Sequence, residues 1–104
     1  MPIDRTELEA RWLALTGQEL PAVAMSRGWP VRFDHCFQRI LLDAACGGCW
    51  YDSIAKRPAY RHAPEAVLEI AVALGEDVLA GTADLHNLNR QSLACRVRRS
   101  DGGR

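Results

Sequence analysis

Apolar residues recur at intervals of three and four along most of the chain. Leu8, Trp12 and Leu15 form the first such stripe, which predicts one face of an amphipathic helix. Later stripes predict that the inward-facing positions are Leu20, Val23, Ala24, Phe33, Phe37, Ile40, Leu41, Ala44, Val67, Ile70, Leu74, Val78, Leu85, Leu88, Ser92 and Cys95. No β-branched or aromatic run alternates with a period of two over more than a few residues, so the sequence predicts no strand.

Capping and breaking residues divide this pattern into helices. Asp4 has the position of an N-cap with Glu7 three residues later, and Gly17 interrupts the first stripe. The remaining predicted caps and breaks are Gly28, Asp34, Gly47, Gly48, Pro58, Pro64, Gly81, and Thr82 or Asp84. We therefore predict a single all-α domain over residues 1–104, a compact bundle of about five helices. Residues 96–104 are predicted to be a frayed tail.

Composition fits a soluble globular domain, with 48% hydrophobic and 25% charged residues in 104. The 13 basic residues balance the 13 acidic ones, which argues against non-specific nucleic-acid binding. No apolar run reaches the roughly 18 residues that suggest a membrane span. The charged N-terminus lacks the apolar block of a signal peptide, so we expect a cytoplasmic protein.

Four cysteines, Cys36, Cys46, Cys49 and Cys95, raise the question of metal or redox chemistry. Cys36 and Cys46 are ten residues apart on one predicted helix, about 15 Å at the helical rise. That separation is too large for one zinc ion, and no second paired motif is visible. We predict no metal and no cofactor, with thiols rather than a disulfide framework and with Cys36 and Cys95 as small buried residues. A zinc or thiol-redox protein acting through Cys46 and Cys49 remains the alternative.

Two polar segments, residues 32–39 and 51–62, are candidates for a binding site. His35 and Arg39 share a helix face, and the second segment lies on a proline-broken connection of the kind where binding residues concentrate. The candidate ligand-binding residues are Arg32, His35, Arg39, Arg57, Tyr60, Arg61 and His62. Together they would form a basic, aromatic-edged cleft for a phosphate or carboxylate. In the alternative interpretation, Arg39 pairs with Asp43 while Arg57 and Arg61 form a solvated face.

The last predicted helix carries Asn87, Asn89, Gln91 and Ser92 between its leucines. Such amides can read base edges, although they are commoner as plain surface. The helix after the turn at Trp29-Pro30 has Arg39 against Asp34 and Asp43, so it is not a basic recognition helix. The sequence therefore argues against a nucleic-acid partner.

Several stretches resemble a group of short bacterial proteins that carry the label of the N-acetyltransferase superfamily. They are RGWPVRFDHCFQRILLD, WYDSI, RPAYRHAP and ADLHNLNRQSLACR. That superfamily holds coenzyme A with the loop R/Q-x-x-G-x-G/A on a mixed sheet, and no such string occurs here. The resemblance therefore assigns no functional residue to this chain.

These observations predict a small helical binding or regulatory module that acts on a protein partner or an anionic small molecule. An enzyme or a coenzyme-binding protein that uses the basic cleft is the first alternative. The zinc or thiol-redox protein is the second.

Overall fold

A computed structural model describes the backbone over residues 4–102 and the side chains over residues 4–97, and most of these residues are helical. Helix α1 (Arg5–Ala14) continues through a π-helical turn (Leu15–Glu19) into α2 (Leu20–Ala24), and α3 (Asp34–Cys46), α4 (Ala59–His62), α5 (Glu65–Ala80) and α6 (Leu85–Gly102) follow. Trp50–Asp52 forms a 3₁₀ turn. With Arg5–Ala24 counted as one continuous helix, the described part of the chain has five helices and no strand. The predicted all-α bundle is confirmed.

The first helix begins as predicted but does not stop at Gly17. The carboxylate of Asp4 accepts a hydrogen bond from the backbone N–H of Glu7 at 2.9 Å, which makes it the N-cap. Gly17 lies inside the π-helical turn, where the helix widens instead of ending. The buried Thr16 hydroxyl donates to the Trp12 carbonyl at 2.9 Å and accepts from Gln38 at 3.1 Å, so the turn is tied to α3.

The hydrophobic core lies where α1, α3 and α5 pack together. Its fully buried members include Trp12, Leu15, Leu20, Phe37, Ile40, Leu41, Leu68, Ala71 and Val78. Gly75 allows the close approach of these helices, because a Cβ atom there would lie 3.1 Å from Leu41 Cδ1 and 3.3 Å from Leu15 Cδ1. Burial of a face this apolar is the main source of stability for a domain of this size.

Two predicted core positions are wrong. Ile70 is 53% exposed and Phe33 is 54% exposed. Helix α5 is apolar on nearly every side, so its spacing did not single out one face, and the face with the small residues Ala71 and Gly75 turns inward. Val78 is buried as predicted. Val67 and Leu74 pack only partly against the core.

The second half of the chain also differs from the predicted boundaries. Within the predicted proline-broken connection, Trp50–Asp52 forms a 3₁₀ turn and α4 forms where no helix was expected. Phe33 takes the N-cap position of α3, so Asp34 is the first helical residue instead of the cap. Helix α6 extends to Gly102, and the fraying of residues 96–104 stays a prediction. Gly103 and Arg104 lie outside the described residues.

Helix α6 packs on α3 through the predicted face. Leu85, Ser92 and Cys95 are buried, and Leu88 is partly buried. The carboxylate of Asp84 accepts from the backbone N–H of His86 at 3.0 Å and caps the helix start. Over the described residues, none of the helices combines the length and the apolar character needed to cross a membrane.

Candidate functional site

An open cavity of about 570 Å³ lies between the first helix, α3, the 3₁₀ turn and α4. It is lined by Trp12, His35, Gln38, Arg39, Leu42, Trp50, Arg57, Pro58, Ala59 and Tyr60. We call it the Arg39 cleft. Its volume lies within the range of pockets that hold small organic molecules.

Two neutral side chains of α6 hold the guanidinium of Arg39. Its Nη1 donates to the Ser92 hydroxyl at 2.7 Å, and its Nη2 donates to the Asn89 side-chain oxygen at 2.9 Å. Burial lowers the pKa of Arg39 and the nearby cation of Arg96 lowers it further, while Cys36 and Asp43 offset part of this shift. A guanidinium still stays protonated at neutral pH, so Arg39 presents a positive charge that its surroundings disfavour.

On the other side of Ser92 lies the buried carboxylate of Asp43, which accepts hydrogen bonds from three protein groups. Asp43 is 3% exposed and accepts from the Ser92 hydroxyl at 2.5 Å and from the Trp50 backbone N–H at 2.9 Å. Arg96 donates to the same carboxylate and forms an ion pair with it. We call Asp43, Ser92, Arg96 and the Trp50 N–H the Asp43 cluster. It anchors the 3₁₀ turn and α6 to α3.

The outer wall of the Arg39 cleft is formed by Arg57 and Trp50. The Arg57 guanidinium carbon lies 5.1 Å from the centroid of the Trp50 ring, which is a cation–π contact. Trp50 is itself fixed through its backbone bond to Asp43. The cleft therefore has a cation resting on an aromatic face at its edge.

A contact from the start of α1 positions Tyr60. The Nη2 of Arg5 donates to the carbonyls of Tyr60 at 2.8 Å and of Ala63 at 2.9 Å. These carbonyls belong to the short helix α4 and to its C-cap. The last carbonyls of a helix have no partner within the helix, so Arg5 supplies the missing donor. Arg5 thus holds α4 against the first helix and places Tyr60 at the cleft.

The rim and the floor of the Arg39 cleft differ in exposure. His35 is exposed at the rim, with its Nδ1 3.6 Å from a carboxylate oxygen of Asp34 and its ring stacked on Phe33. Trp12 is completely buried on the inner side. Its Nε1–H has no hydrogen-bond partner within the described part of the chain. An unpartnered buried donor is uncommon, because each one costs free energy on folding.

The structure brings together four of the seven predicted ligand-binding residues. His35, Arg39, Arg57 and Tyr60 all line the Arg39 cleft. Arg32 instead lines a separate cavity of about 410 Å³ beside Phe33 and Cys36. Arg61 and His62 are exposed and do not line the cleft. Arg39 bonds to α6 and not directly to Asp43, which differs from the alternative pairing considered above.

The cysteines are arranged differently from the expected thiols. Cys49 and Cys95 form a disulfide across 46 residues of sequence, which joins the 3₁₀ turn to α6. Cys36 and Cys46 are free, and burial raises the pKa of the Cys46 thiol. Cys49 is therefore not free to act with Cys46 as a thiol pair. In the described residues, no three His, Cys, Asp or Glu side chains are grouped so that they could share a metal ion.

Sequence reasoning missed the residues that support the cleft from other helices. Trp12 was assigned only to the core, while Asn89 and Ser92 were assigned to the surface or to the packing face of α6. The available signal was that polar residues occupy inward positions of α6, where a buried polar group needs a partner. Arg5 and Gln38 gave no such signal, since their partners are distant in sequence.

Comparisons with protein families, with curated proteins and with solved structures found no match for this chain.

Proposed function

We propose that this chain is a helical binding module whose Arg39 cleft takes up an anionic small molecule. The observation that supports this proposal is the convergence of Arg39, Arg57, His35 and Tyr60 on one cavity. Guanidinium groups can bind carboxylates and phosphates through two parallel hydrogen bonds, and a phenol can add a third donor.

The charge distribution supports an anion in particular. The chain has equal numbers of basic and acidic residues, but no Asp or Glu is among the described residues that line the Arg39 cleft. Arg39 donates to two neutral oxygens instead of a carboxylate. A cation that is partly buried without a bonded counter-ion is unfavourable, so an anion bound beside it would lower the free energy of the folded state.

A second cavity is less suited to a ligand. It measures about 290 Å³ and is lined by Asp43, Gly47, Gly48 and Ser92, among other residues. Asp43 already accepts from three donors, and Ser92 both donates and accepts. The polar groups of this cavity therefore stabilise the fold.

Thermal melts in chloride, sulfate and phosphate at matched ionic strength test the proposal. Sulfate and phosphate stabilise most proteins by exclusion from the surface, so the readout is the difference between wild type and variants. At ten times its Kd, a bound anion adds about 1.4 kcal/mol. In a domain of this size that raises Tm by roughly 5 °C or more.

Matched variants separate the cleft from the general surface charge. Arg39→Gln and Arg57→Gln should lose most of the anion-specific rise in Tm. Arg61→Gln and Arg32→Gln remove the same charge outside the cleft and should keep it. An equal rise in all five proteins would show general salt exclusion and would refute the proposed site.

A further inference from the structure

We infer that the occupant of the Arg39 cleft is an anion with a flat aromatic body and not an inorganic oxyanion. This inference rests on the proposed function and adds the chemical class of the ligand. It follows from the apolar walls of the cavity and from the aromatic surface at its edge.

The walls of the cleft require an apolar ligand body. Pro58, Ala59 and Trp50 line the cavity, and each keeps part of its surface exposed. A sulfate or phosphate ion held at Arg39 would leave these surfaces in contact with water in a cavity of about 570 Å³. An apolar body attached to the anionic group would cover them, and burial of apolar area strengthens binding.

The edge of the cleft favours a flat ring. The Trp50 ring already carries the guanidinium of Arg57 at 5.1 Å from its centroid. Aromatic rings pack on each other in offset or edge-to-face arrangements, and guanidinium groups stack on them as well. A planar ligand can therefore contact Trp50 and Arg57 at the same time.

Isothermal titration with four probes tests the ligand class. The probes are 2-naphthoate, its neutral analogue 2-naphthamide, acetate and inorganic phosphate. We expect 2-naphthoate to bind at least tenfold more tightly than each of the other three, because it alone combines a flat apolar body with a negative charge. Equal affinity for 2-naphthamide would show that the charge is not recognised and would overturn the inference.

Trp50→Leu tests the aromatic edge, with Trp29→Leu as the matched control. Trp29 lies outside the cleft, beside Phe37 and the separate cavity that contains Arg32. Trp50→Leu should weaken 2-naphthoate binding about fivefold, as expected when a contact between aromatic rings is lost. Trp29→Leu should leave the affinity within twofold. An unchanged affinity of Trp50→Leu would overturn the role of the aromatic edge.

A measurement on the wild-type protein covers the case in which Trp50→Leu fails to fold. The chain has three tryptophans, so three indole N–H signals are expected in its NMR spectrum. Saturating 2-naphthoate should shift the Trp50 signal through the ring current of the bound ligand, and an unmoved signal would overturn the inference. If phosphate binds as tightly as 2-naphthoate and the binding depends on Arg39, the ligand class is wrong and the proposed function stands. If none of the probes binds, the proposed function itself fails.

Discussion

The Arg39 cleft and the Asp43 cluster are neighbours that share Ser92 but differ in how their polar groups are paired. Ser92 accepts from Arg39 on one side and donates to Asp43 on the other. Asp43 is buried with three donors around it, one of them a cation. Arg39 has neutral acceptors and faces an open cavity. A buried charge stabilises the fold where hydrogen bonds and an opposite charge satisfy it, as at Asp43. A buried charge that lacks a bonded opposite charge, as at Arg39, marks a candidate binding site.

The largest effect on stability is expected when the Asp43 cluster is disrupted. Asp43→Asn keeps the shape but removes the charge that Arg96, Ser92 and the Trp50 N–H share. We expect the free energy of unfolding to fall by about 3 kcal/mol, the lower end for a broken buried ion pair, because Arg96 stays partly exposed. Urea unfolding followed by circular dichroism measures this change. A loss below about 1 kcal/mol would show that the Asp43 cluster contributes little to the fold.

An effect of similar size is expected from the disulfide that joins the two regions. Cys49 adjoins Trp50, and Cys95 lies one helical turn beyond Ser92, so the disulfide holds the 3₁₀ turn to α6. Replacing both cysteines by alanine should cost roughly 2–4 kcal/mol, because the unfolded chain regains the freedom of a long loop. Urea midpoints of the variant and of wild type without reductant give this value. Cys36→Ser is the control, and a double variant as stable as wild type would contradict the assignment.

The smallest effect on stability is expected from a substitution of Arg39. Arg39→Gln removes two hydrogen bonds to neutral groups, each worth roughly 0.5–1.5 kcal/mol. It also removes the desolvation and the repulsion from Arg96 that lower the pKa of Arg39. We therefore expect a net loss of about 1 kcal/mol or less by urea unfolding. A loss as large as that of Asp43→Asn would mean that Arg39 is as structural as the Asp43 cluster.

The sequence predicted the helical class and much of the core because apolar spacing is a local property of the chain. Trp12, Phe37, Ile40 and Leu41 are buried as their spacing required. The same reasoning failed for Ile70, since α5 has apolar residues all round and the buried face depends on which helices pack against it.

The candidate site could be predicted only in part, and for a related reason. His35 and Arg39 lie one turn apart on α3, so their proximity follows from helix geometry. The contacts of Arg39 with Asn89 and Ser92 span about 50 residues, and spacing within one helix carries no information about them. Arg32 and Arg61 have the same chemistry as the cleft residues, and only the packing of the helices separates them from it.

One measurement tests the contrast between the two regions most directly. Backbone amide NMR signals are followed during titration with 2-naphthoate and, separately, with inorganic phosphate at constant ionic strength. We expect the largest shifts at Arg39, Trp50 and Tyr60, on the walls of the Arg39 cleft. Shifts centred on Gly47, Gly48 and Gln91, which line the cavity beside the Asp43 cluster, would contradict the account.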